Sequence, residues 1–98
     1  MGEAQFYHIM FEAPGMGPSD ERLELQLNRA LDWLRYAENC WIVYTTSDAK
    51  RWYERLGALA KDNKGHVFIA KFDIGDRQGW MPKSVWDWLK KDREGKSA

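Results

Sequence analysis

At 98 residues the chain has the usual size of one domain and leaves no room for two independent cores. Hydrophobic residues make up 44% of it and six tryptophans are present, enough apolar surface to bury a core without disulfide or metal staples. Fifteen Lys and Arg balance fifteen Asp and Glu, which excludes the overall basic excess of a dedicated nucleic-acid binder and leaves only a local patch for that purpose.

The single cysteine, Cys40, has no partner within the chain and sits in an apolar run, where a reduced thiol is the ordinary outcome. No stretch reaches the roughly 20 apolar residues needed to cross a bilayer. The start Met1-Gly2-Glu3-Ala4-Gln5 lacks the basic and apolar regions of a signal peptide, and Phe6 stands where a myristoylation signal takes Ser or Thr. The expectation is a soluble cytoplasmic protein with no membrane partner.

In chain order, Gln5 to Glu12 is rich in aromatic and β-branched residues and stops at the turn formers of Pro14-Gly15-Met16-Gly17-Pro18, predicting a first strand and a tight loop. Ser19 or Asp20 can cap a helix in which Leu23, Leu27, Ala30, Leu31 and Leu34 draw one apolar stripe, ending near Arg35. Cys40 to Thr46 is a run of strand formers. Between them the reading forks: Trp33 to Ala37 is either a short strand that hairpins through Glu38-Asn39, or the helix end and a connector.

Ser47 can cap a second helix with Ala49, Trp52, Tyr53, Leu56, Leu59 and Ala60 on one face. The polar run Lys61 to Gly65 ends it, and His66 to Ile74 predicts another strand followed by a loop over Gly75 to Gly79. Trp80 to Lys91 predicts a short helix starting near Pro82 or Ser84, whose Trp80, Val85, Trp86 and Leu89 must dock to be stable. Residues 92–98 are polar and predict a frayed tail.

If residues 33–37 form a strand, the order is βαββαβ, an α+β domain of ferredoxin-like type over residues 1–91 with a short C-terminal helix. Right-handed crossovers then predict parallel first and third strands, the fourth strand antiparallel beside the first, and both long helices on one face. The strands are apolar on both sides: Tyr7, Ile9 and Phe11 against Phe6 and Met10, Trp41 and Val43 against Ile42 and Tyr44, Val67 and Ile69 against Phe68, Ala70 and Phe72. The face without long helices therefore needs a cover, either the Trp-rich C-terminal segment or a second copy of the chain.

The same strand directions gather Glu12, Ser47, Asp48 and His66 at one edge of the sheet. There Glu12 and Asp48 could hold a metal ion and Glu12 with His66 could move a proton. The plainer reading makes Ser47 and Asp48 helix caps, Glu12 a solvated strand end and His66 a surface residue. Lys50, Arg51, Arg55, Lys61 and Lys64, with Arg22, Arg29 and Arg35, could form a basic helical surface, although interspersed acids make a solvated face the ordinary account. The proline–glycine loop lacks the Lys-Ser/Thr ending of a phosphate loop.

Three local patterns, Tyr7-His8-Ile9-Met10-Phe11-Glu12 with its Pro/Gly loop, Asn39-Cys40-Trp41-Ile42-Val43 before a helix, and Gly79-Trp80-Met81-Pro82-Lys83 leading to Trp86-Asp87-Trp88-Leu89, resemble the small uncharacterised bacterial and phage proteins labelled SinR-like. Those are similar in layout to the small CRISPR-associated ferredoxin-fold subunit and to VapD-type toxins. The resemblance implies a homodimer acting on nucleic acid or on a protein partner, or else a Mg²⁺-dependent nuclease or toxin–antitoxin component. In that group an Asp ending the first strand can hold the metal, and Glu12 occupies the matching position after Phe11.

Overall fold

The apolar runs form strands, and the fork at residues 33–37 resolves to a strand as well. A computed structural model describes residues 3–14 and 19–91, through β1 (Gln5–Glu12), α1 (Asp20–Leu27), β2 (Asp32–Ala37), β3 (Cys40–Thr45), α2 (Ala49–Asp62), β4 (His66–Phe72) and α3 (Lys83–Lys90). Most of the proline–glycine loop and the polar tail 92–98 lie outside the described residues.

The first helix is shorter than its stripe predicts. It closes at Asn28, whose N–H reaches the Glu24 carbonyl, and the chain then tightens through Arg29 to Gln26 and Ala30 to Leu27. The next N–H, on Leu31, donates to the Tyr44 carbonyl of β3, so the sheet captures the backbone before another helical turn can form. Leu34, in helical phase with Leu23 and Leu27, instead sits opposite Ile42 across a strand pair. Both periodicities fit this segment, and tertiary pairing decides between them.

The N-cap of α2 is Asp48, not Ser47. Asp48 Oδ1 accepts from the Arg51 N–H at 2.9 Å, while the Ser47 N–H donates to Thr45 Oγ1 at 3.0 Å. Satisfying an orphan helix N–H in this way is worth about 1 kcal/mol.

The strands form one antiparallel sheet in the order β2-β3-β1-β4, which corrects the expected parallel pairing of the first and third strands. Gln5 lies opposite Thr45, and Met10 lies opposite Cys40. The reason is the hairpin at Glu38-Asn39. The crossover through α1 makes β2 run with β1, and a chain reversed immediately afterwards must run against both. β4 lies antiparallel beside β1, as expected.

Alternation sends Tyr7, Ile9, Phe11, Trp41 and Val43 to one face, where they pack with Leu23 and Leu27 of α1 and Trp52, Leu56, Leu59 and Ala60 of α2. Each such fully buried aliphatic or aromatic side chain contributes about 1.5–3 kcal/mol of transfer free energy. Trp52 keeps its one polar atom satisfied by donating from Nε1 to Thr45 Oγ1 at 3.2 Å.

The opposite face carries Ile42, Leu34, Phe6 and Phe72, and α3 lies on it through Val85, Trp86 and Leu89. The C-terminal segment is thus at least part of the cover that the two-sided strands require. Lys91, just past α3, pairs with Asp32 at the start of β2 at 2.8 Å. Burial alone would raise the Asp32 carboxyl, but bonds from Lys91, Trp88 and the Trp33 N–H outweigh it and hold the group below its usual value. Trp80 does not dock: it is 96% exposed. It precedes the first helical residue by three positions, so no helical phase ties it to the buried stripe, and Met81 packs in that cluster instead.

Candidate functional site

Register places the side chains of the α3 face in rows. Asp32, Tyr44, Phe6 and Phe72 form one row, and Leu34, Ile42, His8 and Ala70 the next. These two lie at the end that α3 covers. Beyond them stand Cys40, Met10 and Phe68 with Tyr36 alongside, then Glu12 opposite His66 at the sheet's end. Met10 and Cys40 are half-buried, and Phe68 is 61% exposed. Phe68 also belongs to β4, an edge strand paired only with β1 among the described residues.

A polar network crosses the middle of this area. His8 Nε2 and the Tyr36 hydroxyl are hydrogen-bonded at 2.5 Å, with the rings tilted together at a centroid distance of 5.6 Å. Tyr36 also bonds to the Cys40 side chain. Burial lowers the His8 imidazole from its usual value of 6.5. Burial first, then the hydrogen bond and charge of Cys40, push the Tyr36 phenol up to about 12. Both shifts favour the uncharged forms of His8 and Tyr36.

The residues singled out from sequence separate into two pairs. Glu12 and His66 face each other across the β1–β4 ladder, and both are exposed. Ser47 and Asp48 stand at the other end, because antiparallel pairing puts the close of β3 beside Gln5 rather than Glu12. Seven residues of strand separate the two ends, about 23 Å. Glu12 and Asp48 therefore cannot hold one ion within a chain, and no group of three or more His, Cys, Asp or Glu suited to a metal occurs among the described residues.

Ser47 and Asp48 instead border an open polar cleft of about 460 Å³ with Tyr7, Thr45 and Arg51. The cations expected to form a basic helical surface are dispersed: Arg51 pairs with Glu54 at 3.6 Å, Arg35 lies in β2 and pairs with Asp20 at 3.5 Å, and Arg55 lies 4.6 Å from the Trp52 ring. Sequence reading missed Tyr36, Cys40 and Phe68 as neighbours. Only the strand alternative at residues 33–37 could have put Tyr36 on the same face as Cys40. Comparison with protein-family models, curated proteins and solved structures returns no match.

Proposed function

We propose that the chain is a ferredoxin-like association module that works as a homodimer, two copies joining through β4 and the open half of the α3 face. The element order β1-α1-β2-β3-α2-β4 and a strand order that reads 4-1-3-2 from the β4 edge support the ferredoxin-like reading. The observation that carries the association is Phe68, 61% exposed on an edge strand. An edge with free main-chain groups and a large apolar side chain is a template for a further strand.

The strand suits a second copy of itself. Antiparallel pairing about a two-fold axis at Ile69 sets Phe68 of one copy opposite Ala70 of its partner, large against small, and Lys71 opposite Val67, so no like charges meet. The formal net charge of zero removes long-range repulsion between copies.

Light scattering tests the reading directly. The wild type is expected at twice the 11.5 kDa of one chain, and Phe68→Glu at the single-chain mass with an unchanged far-UV spectrum. A wild type that stays at the single-chain mass at high micromolar concentration refutes it. A Phe68→Glu variant that remains dimeric moves the interface away from β4.

A further inference from the structure

We infer that the open cleft at the start of α2 is a binding site for a small neutral sugar, whose hydroxyl oxygens accept from the Tyr7 and Thr45 side chains. The cleft belongs to the face that α1 and α2 cover, opposite the one that carries Phe68, so the inference does not depend on the dimer. Alternation sends Gln5, Tyr7 and Thr45 to that face with Ile9 and Val43, Thr45 standing opposite Gln5 and diagonal to Tyr7. The apolar rows of the core therefore end in polar side chains, where a cleft of about 460 Å³ opens.

The state of its two deepest residues points to a ligand. Tyr7 is 8% exposed and Thr45 2%. The Tyr7 hydroxyl has no hydrogen-bond partner among the described residues, yet its oxygen is not sealed in: it stays open to contact by water, on a residue that lines the cleft. Thr45 Oγ1 already accepts twice, from Trp52 Nε1 at 3.2 Å and from the Ser47 N–H at 3.0 Å. What it has left is its own proton, which no described residue accepts. Two neighbouring hydroxyls, each on a residue more than nine-tenths buried, thus have donors to spend on oxygen atoms in the cleft.

The rest of the lining sets the class. It contains no aliphatic side chain, which rules out an apolar ligand. Glu3 and Asp48 bring two carboxylates, and the one cation, Arg51, is already paired with Glu54, so an anion is repelled. A simple cation would find the carboxylates but leave both hydroxyl protons unspent. A sugar hydroxyl does both jobs, accepting from Tyr7 or Thr45 and donating to Asp48 or Glu3. Asp48 has Oδ2 for this, since Oδ1 is the atom that caps α2. The volume of about 460 Å³ equals roughly fifteen water molecules at about 30 Å³ each, room for one or two sugar rings.

The full chain is titrated with D-glucose, D-galactose, D-ribose and maltose, and its tyrosine rings and backbone amides are followed by NMR. At least one of these sugars is expected to move the Tyr7 ring and Ser47 amide resonances saturably, while inorganic phosphate and methylammonium at equal concentration leave both in place. Tyr7→Phe keeps the ring and loses only an unpaired hydroxyl, so its urea midpoint is expected to match the wild type while sugar affinity falls roughly three- to tenfold. Thr46→Trp, on the exposed rim, fills the mouth of the cleft and is expected to abolish sugar binding; it serves alone if Tyr7→Phe does not fold. No saturable shift with any of the sugars at about 10 mM, a stronger response to phosphate or methylammonium, or sugar affinity unchanged in either folded variant overturns the assignment.

Discussion

Leu89 tests whether α3 holds the second face of the sheet in solution. It is 9% exposed and packs into the cluster built on Ile42 and Val85. Leu89→Ala removes three carbon atoms, which at about 0.8 kcal/mol each gives a transfer loss of about 2.4 kcal/mol. The extra cavity penalty seen in sealed cores should be small here, because Leu89 already borders two open cavities, of about 210 and 340 Å³, that water can enter. The expected cost is therefore about 2–2.5 kcal/mol, near the lower end for Leu→Ala, with a fall in Tm of about 8–12 °C for a domain of this size. Urea unfolding measures it, as a lower midpoint with an unchanged slope. Trp80→Ala is the control: a larger truncation, but at a residue 96% exposed, and expected within about 0.5 kcal/mol of wild type. A Leu89→Ala midpoint no lower than that of Trp80→Ala refutes the docking of α3.

Thr45→Val keeps shape but removes the acceptor shared by Trp52 Nε1 and the Ser47 N–H. The Ser47 group borders the open cleft and can turn to water, whereas the buried indole cannot, so urea unfolding should show a loss of about 2 kcal/mol. Gly65→Ala would place a Cβ 2.1 Å from the Glu12 carbonyl oxygen and 2.9 Å from Ala13 Cα, a collision with backbone that no rotamer relieves. It is expected to cost about 3 kcal/mol or more, and amide exchange should quicken first at Glu12 and His66. The pH dependence follows from His8. Its folded pKa lies below the usual 6.5, so the unfolded chain binds the proton more readily. The stabilisation is complete above that usual value and is lost as pH falls from it toward the lower folded value. The urea midpoint should therefore drop between pH 7.5 and 5.5, and that drop should shrink in His8→Gln; an equal drop in the variant assigns the dependence to other groups.

The two-sided apolar strands by themselves required a cover, which follows from alternation, local and written in the chain; the segment from Trp80 to Lys91 supplies it in part, through Val85, Trp86 and Leu89 but not Trp80. The N-terminal limit of α1 and the runs of β1, β3 and β4 were legible for the same reason, since caps and strand formers act over a few residues, whereas the α2 cap fell one residue later than expected, on Asp48. The end of α1 was not legible. Ala30, Leu31 and Leu34 satisfy a helical stripe, and only the bond from the Leu31 N–H to the Tyr44 carbonyl gives that segment to the sheet. Strand direction was not hidden in the same way: the two-residue turn at Glu38-Asn39, which the sequence offered, reverses β3 against both β2 and β1, and the expected parallel pairing ran against it. That reversal carries Asp48 to the far end from Glu12 and brings Cys40 beside Met10. Which residues can act together thus depended on contacts distant in sequence, which periodicity does not encode.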